Sequence, residues 1–265
     1  MFDVFDVFRL VFVYCYNSNC GVVMLSFAVE VVDPDWGCAY KEVVDSLGGT
    51  SIKVCFVTVK DVGKFAEKLT GWVLDTSWMA DLDKGVRRQY DFTVKETSQI
   101  LVDVFKSASG GGKIGGEFGE SMVSIGSARG LEQVFNHTKV PVAELWKPQA
   151  KQNEGFDFHT VCTGELVNFG EAKFSSDKNP HGPALDQIDR FVTEEKHLRD
   201  RAHLINLVGD NPIEHLDNDR FGIVAAFSVN SDNPLLVFKG ALKTALALAA
   251  GKNISSLYLV GVGEA

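Results

Sequence analysis

Three residues in the middle of this 265-residue chain have the side chains best suited to chemistry: Asp157, Glu171 and Lys173. Two carboxylates supply the hard oxygen ligands that suit Mg²⁺. A cation held there can take up developing negative charge on a phosphodiester and acidify a bound water. An amine two residues from one carboxylate can orient or deprotonate that water and offset charge in the transition state. Without such a site, Glu171 and Lys173 would be an ion pair on a strand surface, which is worth little.

The elements around the trio have to bring it together. Residues 156–162 and 166–174 are rich in Phe, Val and Thr, and Thr163-Gly164 between them is turn chemistry, so a β-hairpin is predicted. Alternation along a strand puts Glu171 and Lys173 on one face. A two-residue turn would set Phe156 opposite Glu171 and Asp157 opposite Gly170, sending the acids to opposite faces. A shared cation therefore requires an odd connection such as Thr163-Gly164-Glu165, or a bulge in one strand. In that register His159 joins Asp157, Glu171 and Lys173 on the site face, where it could meet substrate, and Phe156 and Phe158 face the buried side.

The D…E-x-K pattern resembles that of the PD-(D/E)xK nucleases. Gly116-Glu-Phe-Gly-Glu120 opening a helix, Gly155-Phe-Asp157 with His159, and Phe169-Gly-Glu-Ala-Lys-Phe174 resemble the HamA nuclease-subunit family of the Hachiman anti-phage defence system, over roughly residues 114–208. The resemblance implies an α/β (α+β) fold of restriction-endonuclease-like type, with a mixed central sheet flanked by helices. It also implies a DNA nuclease dependent on Mg²⁺, or on Mn²⁺ as substitute, under the control of a HamB-like helicase subunit. It assigns Asp157, Glu171 and Glu120 to the metal and makes Lys173 the catalytic amine. Glu117 lies on the same helical face as Glu120 and is the alternative helix ligand. Gln187 and Phe191 resemble the Gln-x-x-x-aromatic element of RecB-like members, where the glutamine faces substrate; a plain helix-surface glutamine is the other reading. The competing functional class is a catalytically silent subunit of the same fold that docks a helicase or holds DNA.

Composition sets the bounds. The chain is long enough for a substantial core, 45% hydrophobic and 23% charged, with no repeat or low-complexity tract. Its net charge of -9 opposes unaided binding to a polyanion, so a local basic face or a partner must supply the grip. Five cysteines, an odd number at irregular spacing, point to free thiols in a reducing cytoplasm. Residues 1–23 have neither a basic region before an apolar core nor a small-residue cleavage site, and the polar Asn17-Ser-Asn-Cys20 interrupts the uncharged stretch after Arg9, against a membrane span. They read either as translated sequence upstream of a start at Met24 or as an ordered N-terminal strand.

Along the chain, residues 25–32 and 51–60 read as strands, and residues 40–47 and 61–69 as helices, the second capped by Asp61. Trp36, Trp72 and Trp78 read as core or interface anchors. A helix over 95–107 ends at a glycine run, Gly110-Gly-Gly112, which marks the boundary between an N-terminal α+β module (1–108) and the nuclease-like part (109–265). That run lacks the Gly-Lys-Ser/Thr continuation of a phosphate loop. Further expectations are a helix over 113–135, a short strand over 140–145 and one long helix from Pro183 to about residue 205. A strand over 221–229, a helix over 235–250 and a final strand over 254–262 complete the pattern. His181, His197, His203 and His215 form no metal set and read as loop or helix-surface residues.

Overall fold

The computed structural model describes residues 10–16, 19–45, 51–109, 114–147 and 155–265. The chain opens with a meander of β1 (Leu10–Tyr16), β2 (Asn19–Asp33), β3 (Cys38–Asp45) and β4 (Ile52–Val59), all antiparallel. The stretch from Tyr40, expected to be helical, is strand β3 as far as Asp45; residues 46 and 47 lie outside the described residues. Partners on both sides satisfy the β3 backbone, and that tertiary pairing overrides a spacing that also suits a helix. The turn from β2 to β3 depends on Gly37, whose φ is 61° and where a Cβ would lie 2.8 Å from the Asp61 Cβ.

Asp61 then caps α1 (Val62–Leu74), accepting a hydrogen bond from Lys64 N at 3.0 Å. Trp36 packs edge-on against Phe65 and Trp72, and Trp78 lies tilted against Tyr90. Helix α2 (Lys84–Ser109) starts earlier than the expected residue 95, and α3 (Gly116–Phe135) follows. The expected strand over 140–145 is instead β5 (Thr138–Lys139) and a single helical turn, α4 (Ala143–Trp146). The hairpin is β6 (Phe158–Val161) and β7 (Val167–Lys173).

The long helix expected after Pro183 is two, α5 (His181–Thr193) and α6 (Lys196–Leu204), separated at Glu195, which takes a left-handed φ of 54°. Helix α7 (Asp210–Asp217) was not foreseen. Strand β8 (Gly222–Ser228), α8 (Pro234–Ala250) and β9 (Ser256–Glu264) fall where the pattern put them.

The nine strands of the described residues form one mixed sheet in the order β1-β2-β3-β4-β9-β8-β7-β6-β5. Strands β4, β9, β8 and β7 run parallel, and β4 from the N-terminal segment is hydrogen-bonded to β9 from the C-terminal one. Helices cover both faces. In β4, Val57 lies under Gly130 of α3, where a Cβ would come within 2.7 Å of it, whereas the adjacent Phe56 packs on Phe238 of α8. No helix among the described residues is long and apolar enough to cross a membrane.

Candidate functional site

The hairpin has the odd connection that a shared site demands. Cys162 N donates to Leu166 O and Glu165 N to Cys162 O, so Thr163, Gly164 and Glu165 make a three-residue loop, with Glu165 at a left-handed φ of 57°. Phe158 consequently pairs with Gly170 and His159 with Phe169. Asp157 N also donates to Gly170 O, at 2.8 Å, so Asp157 and Phe158 share one partner, as in a β-bulge. The bulge turns the Asp157 carboxylate onto the end of β7, where Ala172 N donates to Oδ2 at 2.7 Å.

Strand alternation places the other members. Ala172 and Phe174 face α3: Ala172 lines a cavity there, and the Phe174 ring lies where a Cβ on Gly119 would stand. Glu171 and Lys173 share the opposite parity with Phe169, which packs on Phe156, His197 and Phe221. The trio thus meets at the end of β7 and does not lie flat on one face. Lys173 Nζ lies 2.6 Å from Glu171 Oε1, while Glu171 Oε2 is enclosed and has no hydrogen-bond partner. Burial, and then the Asp157 charge, push the Glu171 carboxyl up to about 8. Burial raises Asp157 as well, opposed by the Ala172 N–H and the Lys173 ammonium. Burial works downward on Lys173, but the Glu171 carboxylate outweighs it and the amine is held above its ordinary value.

On the α3 side of Asp157 lies a cavity of about 320 Å³, lined on its polar side by Glu117, Glu120, Glu144 and Asp157. Both helix acids therefore lean toward Asp157, and both are exposed. Glu144 was not expected, because residues 140–145 read as a strand. The turn of α4 carries it inward: its Oε2 is closed to solvent without a partner, and burial raises the carboxyl to about 7.

His159 is not open to a substrate. It is 1% exposed, with Nε2 2.9 Å from Asp200 Oδ2 and its ring against Trp146 and Phe169. Phe156 and Phe158 are both buried but part company at the bulge: Phe156 packs on Phe169 and Phe191, and Phe158 covers Gly170. His197 is buried and stacked on Phe221, contrary to a helix-surface position. Gln187 is half-buried on α5, one turn before the buried Phe191.

Behind His159, Lys147 Nζ donates to Phe156 O at 2.6 Å and to Asp200 Oδ2 at 2.8 Å. The Lys147–Asp200 pair anchors the chain immediately before Asp157. Burial works upward on Asp200, but the hydrogen bond from His159 and the Lys147 charge outweigh it, and the carboxylate stays ionised. Residues 53 apart in sequence give no local signal of such a clamp.

Among the described residues no three His, Cys, Asp or Glu side chains gather closely enough to hold one metal ion. Mg²⁺ commonly takes only one or two protein carboxylates and keeps its waters. The mutual repulsion of Asp157 and Glu171, together with the orphaned Glu171 Oε2, fits that demand. No protein-family model, curated protein or solved structure matches this chain.

Proposed function

We propose that the chain is a Mg²⁺-dependent deoxyribonuclease of PD-(D/E)xK type, with a restriction-endonuclease-like arrangement about the hairpin. The observation that supports it most is the odd hairpin register with its bulge, which brings a buried carboxylate, a half-buried one and an amine to one strand end. Buried acids that repel one another are costly unless something offsets them, and such groups concentrate at functional sites.

Asp157 and Glu171 would hold the cation, with Glu120 facing them from α3. Bound there, Mg²⁺ would supply Lewis-acid charge to a phosphate oxygen and lower the pKa of a water. Ala172 N fixes the Asp157 carboxylate. Lys173 steadies Glu171 and is the donor available to the attacking water or a charged phosphoryl oxygen. The Lys147–Asp200 clamp holds the main chain at Phe156. A net charge of -9 favours delivery of DNA by a partner, for which a helicase subunit is the candidate within phage defence.

Plasmid degradation by the purified protein, with and without such a partner, tests the reading. Mg²⁺ or Mn²⁺ should support cleavage, chelation should stop it, and Ca²⁺ should support DNA binding better than cleavage. Lys173→Ala should keep metal binding and lose turnover. Undiminished cleavage in Glu171→Ala would remove the nuclease assignment.

A further inference from the structure

The cavity on the α3 side of Asp157 has a polar wall dominated by acceptors, with the Thr97 hydroxyl of α2 also in its lining. Four carboxylates line it, and no Lys or Arg does. Two serines on the same wall have their protons committed to the helix: Ser121 Oγ donates to Glu117 O, and Ser124 Oγ to Ser121 O. Glu144, which lines the cavity, has an enclosed and unpartnered Oε2, an unmet acceptor beside it. A ligand complementary to this wall is donor-rich and positive, as an ammonium is.

The acids do not converge on a point. Glu144 is half-buried with one enclosed oxygen, Glu117 and Glu120 are exposed, and among the described residues no three of these groups could share one metal ion. The facing wall is aliphatic, built from Ile100, Leu101 and Val104 of α2 with Ala172 of β7. Such a wall is suited to burying methylene groups. At about 320 Å³ the space is at the small end of ligand pockets.

We propose that this cavity binds a linear aliphatic di- or polyamine, with one ammonium on Glu144, another at Glu117 and Glu120, and the methylene chain along the α2 wall. Binding needs no nuclease activity. The consequence that a bound amine covers Asp157 and lowers cleavage rests on the nuclease reading.

Calorimetric titration of the full chain at low salt tests it, using 1,5-diaminopentane, spermidine, pentylamine and MgCl₂ in separate runs. The diamine should bind at least about tenfold more tightly than pentylamine, and Glu144→Gln should weaken it by about tenfold. Glu120→Gln, at an exposed position, should weaken it similarly and carries the test if Glu144→Gln fails to fold. Glu171→Gln does not line the cavity and should leave amine affinity within about threefold while ending cleavage, so this inference and the nuclease reading fail separately. Equal affinity for the mono- and diamine, undiminished binding in both cavity variants, or no saturable heat would overturn the inference. So would Mg²⁺ binding that depends on Glu144 and displaces the diamine, which would make the cavity an ion site.

Discussion

The two sides of Asp157 handle enclosed negative charge differently. Toward β7, Glu171 is fully buried but has the Lys173 ammonium at 2.6 Å. Toward α3 and α4, Glu144 is half-buried with an enclosed, unpartnered oxygen and shares its cavity with three further acids and no Lys or Arg. The first arrangement has a counter-charge within the chain, although Glu171 Oε2 stays unpartnered. The second is unbalanced, and the cheapest relief for it is a proton or a positive ligand. Asp157 belongs to both, since its carboxylate sits on the end of β7 and also lines the cavity.

Substitution at Asp157 should therefore break the comparison most severely. Asp157→Ala should lower cleavage by at least about 10²–10³, as losing one preorganised charged group does, and should weaken amine binding too. Glu171→Ala should match the loss of cleavage and spare amine binding. Glu144→Gln should do the reverse. Plasmid cleavage and calorimetry on the three variants check this, with Lys64→Ala, an exposed residue on α1, as the unaffected control.

The balanced side was largely legible in the sequence and the unbalanced side was not. Asp157, Glu171 and Lys173 could be found because strand alternation is rigid: once the acids are required to meet, an odd loop or a bulge follows; the hairpin has both, and the bulge moves Asp157 off the face that Glu171 and Lys173 share. The Asp61 cap and strands β4, β8 and β9 were read from equally local rules. Glu144 was missed because Val140, Val142 and Leu145 look strand-like. The available signal was the helix-forming run Ala-Glu-Leu just after Pro141. Long-range partners decided the remainder. Strand β3 is set by its two neighbours, and the buried Lys147–Asp200–His159 contacts join residues that no local pattern links. The break at Glu195 has neither glycine nor proline to announce it.

Two glycines allow the two sides to be disturbed one at a time. A Cβ at Gly170 would lie 2.4 Å from the Phe158 ring, which is buried and cannot withdraw. Gly170→Ala should cost about 1–3 kcal/mol and lower cleavage, because the bulge at Asp157 uses the same residue as partner. A Cβ at Gly119 would meet the Phe174 ring at 2.3 Å, but Phe174 is half-buried and can turn outward. Gly119→Ala should cost less than Gly170→Ala and act mainly on amine binding, through a shifted α3. Urea unfolding of both variants beside the two functional assays checks the order.

Acid should weaken the fold around the hairpin by way of its histidines. Burial, helped by the Lys53 charge, lowers His137 from 6.5 to about 4, and its Nδ1 lies 2.9 Å from Thr160 Oγ1 on β6. A histidine depressed in the folded state takes up its proton more readily when unfolded. The stability it contributes is full above about pH 6.5 and is lost as pH falls from 6.5 toward 4. Burial lowers His159 in the same direction. Urea midpoints measured at pH 7 and pH 5 should fall with acid, and His137→Gln should flatten the dependence. An unchanged slope in that variant would remove His137 from the account.

The smallest effect is expected at Glu195, away from both sides of Asp157. A non-glycine residue at a left-handed φ of 54° carries a steric cost, and here it lies between α5 and α6, where its N–H closes a turn onto Val192 O. Glu195→Gly should remove that cost while giving the unfolded chain more freedom, for a net gain of no more than about 1 kcal/mol. Helix α6 carries Asp200, the partner of Lys147, so a glycine that merely relaxed the junction should raise the urea midpoint and leave cleavage as it was. A fall in cleavage at unchanged or higher stability would mean that the strained junction itself holds Asp200 and Lys147 in place. The balanced side of the site would then depend on the path between α5 and α6 as well as on the hairpin.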